Sequence, residues 1–128
     1  MDKLAVRVTE CAKSAGGAVW VASSDRNGVP HLALSDRLEM PDDRTARLTG
    51  WCCVKTIDNA RHNPRLSVGV WDCTTSQGWQ LVGTVTGIDV AESAEPAASD
   101  PVTVEYTVTM TVDEALHLTP GRHSDSAM

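Results

Sequence analysis

Apolar and polar residues alternate strictly near the end of the chain. Val102, Val104, Tyr106, Val108, Met110 and Val112 fall on one phase, and Thr103, Glu105, Thr107, Thr109 and Thr111 on the other. A period of two sends these sets to opposite faces of a strand, so the segment predicts a half-buried β-strand. At the start of the chain the spacing is different: Leu4, Val8, Cys11, Ala12 and Ala15 recur as on one side of a helix, which predicts an amphipathic helix over 2–15 stopped by Gly16-Gly17. Between these ends the apolar runs are short. Ala18–Ala22 and Pro30–Leu34 flank Asp25-Arg26-Asn27-Gly28, whose Asn-Gly pair has the chemistry of a hairpin turn. A polar turn at Pro41-Asp42-Asp43 precedes a third predicted strand over 44–54, and Arg65–Trp71 gives a fourth. Trp79–Val90 gives a long fifth, in which Gly83 and Gly87 permit a bulge or sharp bend.

Between the third and fourth strands lies a polar segment, Lys55-Thr56-Ile57-Asp58-Asn59-Ala60-Arg61-His62-Asn63-Pro64-Arg65. Pro64 forces Asn63 out of the α region, so the segment is bounded as about two helical turns, with Asp58 suiting the first of them. Free backbone N–H groups and a partial positive charge gather at a helix start, where Lys55 and Thr56 also stand. That combination is a candidate phosphate site. Asn63-Pro64-Arg65 itself reads as a helix stop followed by a strand start. Many strands with tight turns and one short inserted helix favour an antiparallel barrel, whose closure removes exposed edges. The linker Ala91–Pro101 is rich in Ala, Ser, Glu and Pro, and the tail from Pro120 lacks apolar content to dock it. One domain over 1–119 with a flexible tail over 120–128 is therefore expected.

Composition narrows the chemistry. A chain of 128 residues suits one domain, which at this size buries about two-thirds of its unfolded surface. With 11 basic and 17 acidic residues the net charge is −6, and no basic cluster occurs, which argues against nucleic acid or an anionic membrane as partner. Met1–Arg7 has no long apolar stretch and no run approaches the ~18 apolar residues of a membrane span, so the chain reads as cytoplasmic. Cys11, Cys52, Cys53 and Cys73 show no C-x-x-C spacing and read as reduced, small buried apolar residues. On a strand, Cys52 and Cys53 would point to opposite faces. His31, His62, His117 and His123 lack the i, i+4 spacing of a helical zinc pair, so no metal is expected.

The four tryptophans divide. With no Phe in the chain, Trp20, Trp51 and Trp71 are expected to fill the core, whereas Trp79 is left open between the core and a ligand contact. Gly78–Thr84 lacks the lysine of a nucleotide-binding loop and lies on a strand, and Ser23 and Ser24 have neither a matching His nor nucleophile-elbow glycines.

Taken in order, the hairpin with Asn-Gly-x-Pro, the strand, Lys-Thr-x-x-Asn-x-x-x-Asn-Pro-Arg, the next strand and Gly-Trp-Gln-Leu-Val-Gly resemble the FMN-binding split barrel of the pyridoxamine 5′-phosphate oxidase superfamily over about residues 18–90. In particular, the chain resembles the short FMN-binding and flavin-reductase-like members. The resemblance implies a mainly β fold, a six-stranded antiparallel split β-barrel with an N-terminal helix and a short helix between strands. It implies a homodimer with two FMN sites at the subunit interface. Lys55 and Thr56 match the pair that holds the FMN phosphate. Leu34, Ser35 and Asp36 match the second-strand end beside the flavin, and Gly50, Trp51 and Cys52 match the stretch whose backbone faces the isoalloxazine. Trp79 matches an aromatic residue that approaches the ring, from either subunit.

Two features depart from the pyridoxamine oxidases themselves: Val54 stands where they carry a basic residue, and the tail has no tryptophan for their C-terminal substrate motif. The 91–101 connection is also short. The implied function is therefore an FMN-binding oxidoreductase or flavin-based electron-transfer protein, with an unassigned small-molecule or protein redox partner and no side chain marked as acid or base. Two alternatives stand beside it: a non-catalytic ligand-binding or interaction module on the same barrel, and a deazaflavin-dependent reductase.

Overall fold

The computed structural model describes residues 3–14, 17–35, 37–51, 53–92, 104–120 and 126–127. Helix α1 spans Lys3–Lys13 and is followed by strands β1, Gly17–Ser24, and β2, Pro30–Ser35. Next come β3, Leu38–Asp42, β4, Thr45–Trp51, and the short helix α2, Val54–His62. Strands β5, Arg65–Asp72, β6, Gln77–Glu92, β7, Val104–Leu118, and β8, Ser126–Ala127, complete the order. Seven strands lie on one antiparallel path, β2-β1-β5-β6-β7-β4-β3, and β8 adds to β7.

The alternation that marks β7 holds, since Val108, Met110 and Val112 are buried and the threonines between them are half-buried. Gly28 turns the β1–β2 hairpin at φ 82°, where a side chain is disfavoured. The long β6 shifts register at Val82/Gly83 and again at Val85/Gly87, so both expected glycines do sit at bulges. A Cβ on Gly83 would stand 2.1 Å from the Thr111 carbonyl oxygen, which explains glycine where β7 crosses so closely.

The strand count differs from the six expected. Leu38–Asp42 forms β3 where the polar run suggested only a turn; it is an edge strand, and an edge tolerates Pro41 because its unpaired side needs no N–H. The third expected strand ends at Trp51, and Val54 already belongs to α2. Although residues 120–128 carry no apolar anchor, Ser126–Ala127 pairs with His117 and Leu116 through the main chain. The linker beyond Glu92 lies outside the described residues up to Val104.

Inward-facing Val19, Val21, Val68, Val70, Leu48, Leu81, Val108 and Met110 form the core. The amphipathic face of α1 adds Ala5, Val8 and Cys11, and its Ala5 N–H is capped by Asp43 Oδ1 at 2.7 Å from the β3–β4 turn. Helix α2 adds Ile57 and packs on β1 and β2. Neither helix is long and apolar enough to cross a membrane.

Candidate functional site

Helix α2 begins at Val54, one position earlier than the Lys55-Thr56 pair suggests. Cys53 occupies the N-cap in extended conformation, φ −80° and ψ 91°, and makes no side-chain cap. Ile57 N–H is the first to find an intrahelical acceptor, the Cys53 carbonyl at 3.2 Å, so the preceding N–H groups of the first turn lack one. Lys55 and Thr56 then diverge. Consecutive helix positions are about 100° apart, and Lys55 is exposed while Thr56 is buried. The Thr56 hydroxyl lies 3.2 Å from Cys53 Sγ, which in turn lies 3.7 Å from His31 Nε2 on β2.

Asp58 is therefore in the second turn, not the first. It is exposed, its carboxylate is 3.9 Å from His62 Nδ1, and no acidic residue occupies the first turn. The helix start thus keeps its partial positive charge on its own element. The nearby acid comes from another one: Asp25, in the β1–β2 turn, accepts the N–H groups of Asn27 at 2.8 Å and Val29 at 2.9 Å. The Val29 N–H is the chief cause that holds its carboxyl below the usual range, and the Asn27 N–H and the Lys55 charge act in the same direction.

What fixes α2 is a buried amide. Asn59 Nδ2 donates to Ser23 Oγ at 3.1 Å, and the Asn63 N–H returns to the Asn59 carbonyl at 2.7 Å where the helix stops before Pro64. Ser23 is the Cα partner of His31, so helix, β1 and β2 meet at one end of the hairpin.

From His31, β2 runs through Leu34 and Ser35. Four residues separate His31 from Ser35, about 13 Å of strand. Leu34 is 59% exposed and pairs with Trp20, itself 41% exposed. Ser35 Oγ is buried and has no hydrogen-bond partner. Gly50 and Trp51 end β4 next to the α2 start, Trp51 pairing with Tyr106 after a register shift. Asp36 and Cys52 lie outside the described residues.

Trp79 stands elsewhere. It pairs with Val70, which pairs with Val19, four residues along β1 from Ser23 and beneath α1. Its ring is 5.1 Å from that of His117, and its Nε1 is buried with no acceptor, an arrangement that costs about 1–3 kcal/mol when left unmet. So Thr56, Cys53 and His31 come together, Lys55 is exposed on the same first turn of α2, β2 extends from them, and Trp79 of the same chain belongs to the opposite end. The expected core role of the other tryptophans is corrected for Trp20, which faces solvent. The side chain of Trp51 lies outside the description. Cys73 is likewise exposed rather than buried, and Cys53 stands at the N-cap position of a helix instead of lying on a strand.

His31, Cys53, Asn59 and Ser23 were not singled out as site residues from the sequence. The hairpin register set by Asn27-Gly28 places His31 opposite Ser23, and Cys53 occupies the position before a helix, so both signals were present in the chain.

No protein-family model matches the sequence, and no curated protein sequence does. Solved structures match the fold. HupZ of Group A Streptococcus aligns with a TM-score of 0.67 at 18% identity, covering 95% of this chain and 96% of that one. A pyridoxamine 5′-phosphate oxidase-related, FMN binding protein of Nostoc punctiforme aligns with a TM-score of 0.65 at 11% identity, over 92% and 84%. An F420 reductase aligns with a TM-score of 0.58 at 15% identity, over 78% and 89%. The fold is that of the pyridoxamine 5′-phosphate oxidase-like split barrels.

Proposed function

We propose that this chain is a homodimeric flavin-binding protein that holds FMN by its phosphate at the start of α2 and carries electron or hydride transfer on the isoalloxazine. The observation that supports this reading is the first turn of α2, which has no acidic residue and no side-chain cap, and which bears the exposed cation Lys55. An anion accepts from such N–H groups, and the fixed dipole and Lys55 both favour its charge. Thr56 contributes its main-chain N–H there, since its hydroxyl is turned toward Cys53.

The bound flavin supplies the redox chemistry. The chain's own part is to bind the phosphate, orient the ring along β2 and exclude water. Exclusion requires a second surface. Trp20, Leu32 and Leu34 share one outward face of the β1–β2 hairpin and are 41%, 58% and 59% exposed. Such a face is a place for association, and a second copy covering it in two-fold fashion would close the cofactor between subunits. FMN, rather than the deazaflavin that an F420 reductase of this fold implies, is the cofactor proposed. The test is titration of the full chain with FMN and with riboflavin at matched ionic strength. Tighter binding of FMN supports the reading, and equal or absent binding of both overturns it.

A further inference from the structure

A cavity lies at the other end of the barrel, between α1 and the β6–β7 ribbon. It measures about 310 Å³ and is lined by Arg7, Gln77, Trp79 and His117. That volume is at the small end of ligand pockets. A neighbouring cavity of about 250 Å³ shares Arg7, Gln77 and Trp79 and is bounded further by Glu10, Cys11, Asp72 and Thr75. Three features of the first cavity point to an occupant.

Trp79 is only 8% exposed, forms part of the wall, and carries a buried indole N–H with no acceptor. Among the described residues, the side chains that line the cavity with it are an arginine, a glutamine and a histidine, and none of these is a carboxylate. An arginine offers five donors and no acceptor, so the wall calls for acceptor atoms on whatever enters. The rings of Trp79 and His117 stand 5.1 Å apart at a tilt of 38°, which gives the same wall an aromatic part. Aromatic ligands pack favourably on such rings.

Charge limits the choice further. Glu10 and Asp72 border the adjoining cavity, and Asp72 Oδ1 accepts from the Thr74 hydroxyl at 2.6 Å and the Thr74 N–H at 2.9 Å. Those hydrogen bonds, the hydroxyl's first, hold the Asp72 carboxyl below the usual range, so it is ionised at neutral pH. A phosphate or polyphosphate would meet two like charges across the shared wall. A single carboxylate brings only one negative charge, which Arg7 balances.

We infer that the cavity between α1 and the β6–β7 ribbon is a second binding site, separate from the α2 helix start, for a small flat organic acid with one carboxylate. Arg7 pairs with the carboxylate, and the ligand body lies against Trp79 and His117, beside the ring whose N–H has no acceptor. The inference does not rest on the flavin reading.

Benzoate is a suitable probe. The full chain is titrated with sodium benzoate while the indole N–H resonances are followed, that of Trp79 being assigned by its loss in Trp79→Phe. The Trp79 resonance is expected to shift saturably. Because Arg7 is exposed and its ion pair partly screened, Arg7→Gln is expected to raise the dissociation constant about five- to tenfold, and Arg7→Lys by less. Benzyl alcohol, which has the ring but no charge, is expected to bind more weakly than benzoate. Lys55→Ala and saturating FMN are expected to leave the titration unchanged. A Trp79 resonance that never saturates, an unaltered titration in Arg7→Gln, or equal binding of benzyl alcohol overturns the site. Loss of the shift with FMN or in Lys55→Ala overturns its separateness.

Discussion

Asn59 of α2 donates to Ser23 of β1 at 3.1 Å with both side chains buried, so the helix that carries Lys55 is pinned to the sheet by one hydrogen bond between neutral side chains. Removing one partner leaves the other buried and unmet, a penalty of about 1–3 kcal/mol. Asn59→Ala is expected to lower unfolding free energy by about that amount, read from the midpoint of urea denaturation at constant slope. It is also expected to weaken phosphate binding, because the helix start loses its anchor. An unchanged midpoint would mean that Ile57 and Ala60 alone hold the helix.

Lys55→Ala tests the phosphate directly. A charge-assisted hydrogen bond contributes roughly 1.5–3 kcal/mol, and solvent screening of an exposed lysine favours the lower end, so FMN binding is expected to weaken about tenfold. Riboflavin, which has no phosphate, is expected to bind the variant and the parent alike. Added salt is expected to narrow the difference between the two ligands in the parent. If the variant binds FMN as tightly as the parent does, the anion is held elsewhere.

Much of this architecture is legible in the chain, and the exceptions share a cause. The alternation of β7, the Asn27-Gly28 turn and the bulges at Gly83 and Gly87 are local signals, in which a residue's own conformational preference decides the outcome. The edge strand β3 escapes such reading because Pro41, Asp42 and Asp43 carry the composition of a turn, and only pairing of Leu38 with Leu48 and Glu39 with Arg47 makes a strand of the segment. Trp20 and Trp79 show the other limit. Trp20 lies in the unbroken apolar run Ala18–Ala22, where periodicity assigns no face; register then turns Val19 and Val21 inward and Trp20 outward. The Lys55 helix start was visible as a motif, whereas its junction with His31 through Cys53 depends on how β4 returns across the barrel.

Acid should act on the turn beside that helix. Asp25 is depressed in the folded chain by the Val29 N–H first, and also by the Asn27 N–H and by Lys55. A depressed carboxyl binds its proton less readily when folded, so its stabilising effect is complete above the ordinary aspartate range and is lost as pH falls through the lowered folded value. Asp25→Asn is therefore expected to be less stable than the parent at neutral pH and to converge with it under acid, as followed by thermal melts across the acid range. The same variant removes a negative charge near Lys55, so FMN affinity at neutral pH is expected to rise modestly, by a factor of about two to five. A pH-independent stability difference would show that the lost packing of the turn, not ionisation, is responsible.

The exposed face of the hairpin yields the prediction on assembly. Trp20 and Leu34 are cross-strand partners, Leu32 lies two residues further along β2, and all three point away from the core. Burying a large apolar side chain stabilises by about 1.5–3 kcal/mol, and in a two-fold interface each residue counts twice. A charge placed at Trp20 would be desolvated twice in the same interface. Trp20→Glu is thus expected to convert a dimer of twice 13.7 kDa into a monomer by light scattering at micromolar concentration, with the circular dichroism spectrum of the sheet retained, because the side chain takes no part in the core. The monomer is expected to bind FMN more weakly even though Lys55 is intact, since the ring would then lie against water on its outer side. If Trp20→Glu stays dimeric, the two-fold contact uses another face. If it becomes monomeric and binds FMN unchanged, the cofactor site is complete within one chain and the shared-site proposal fails.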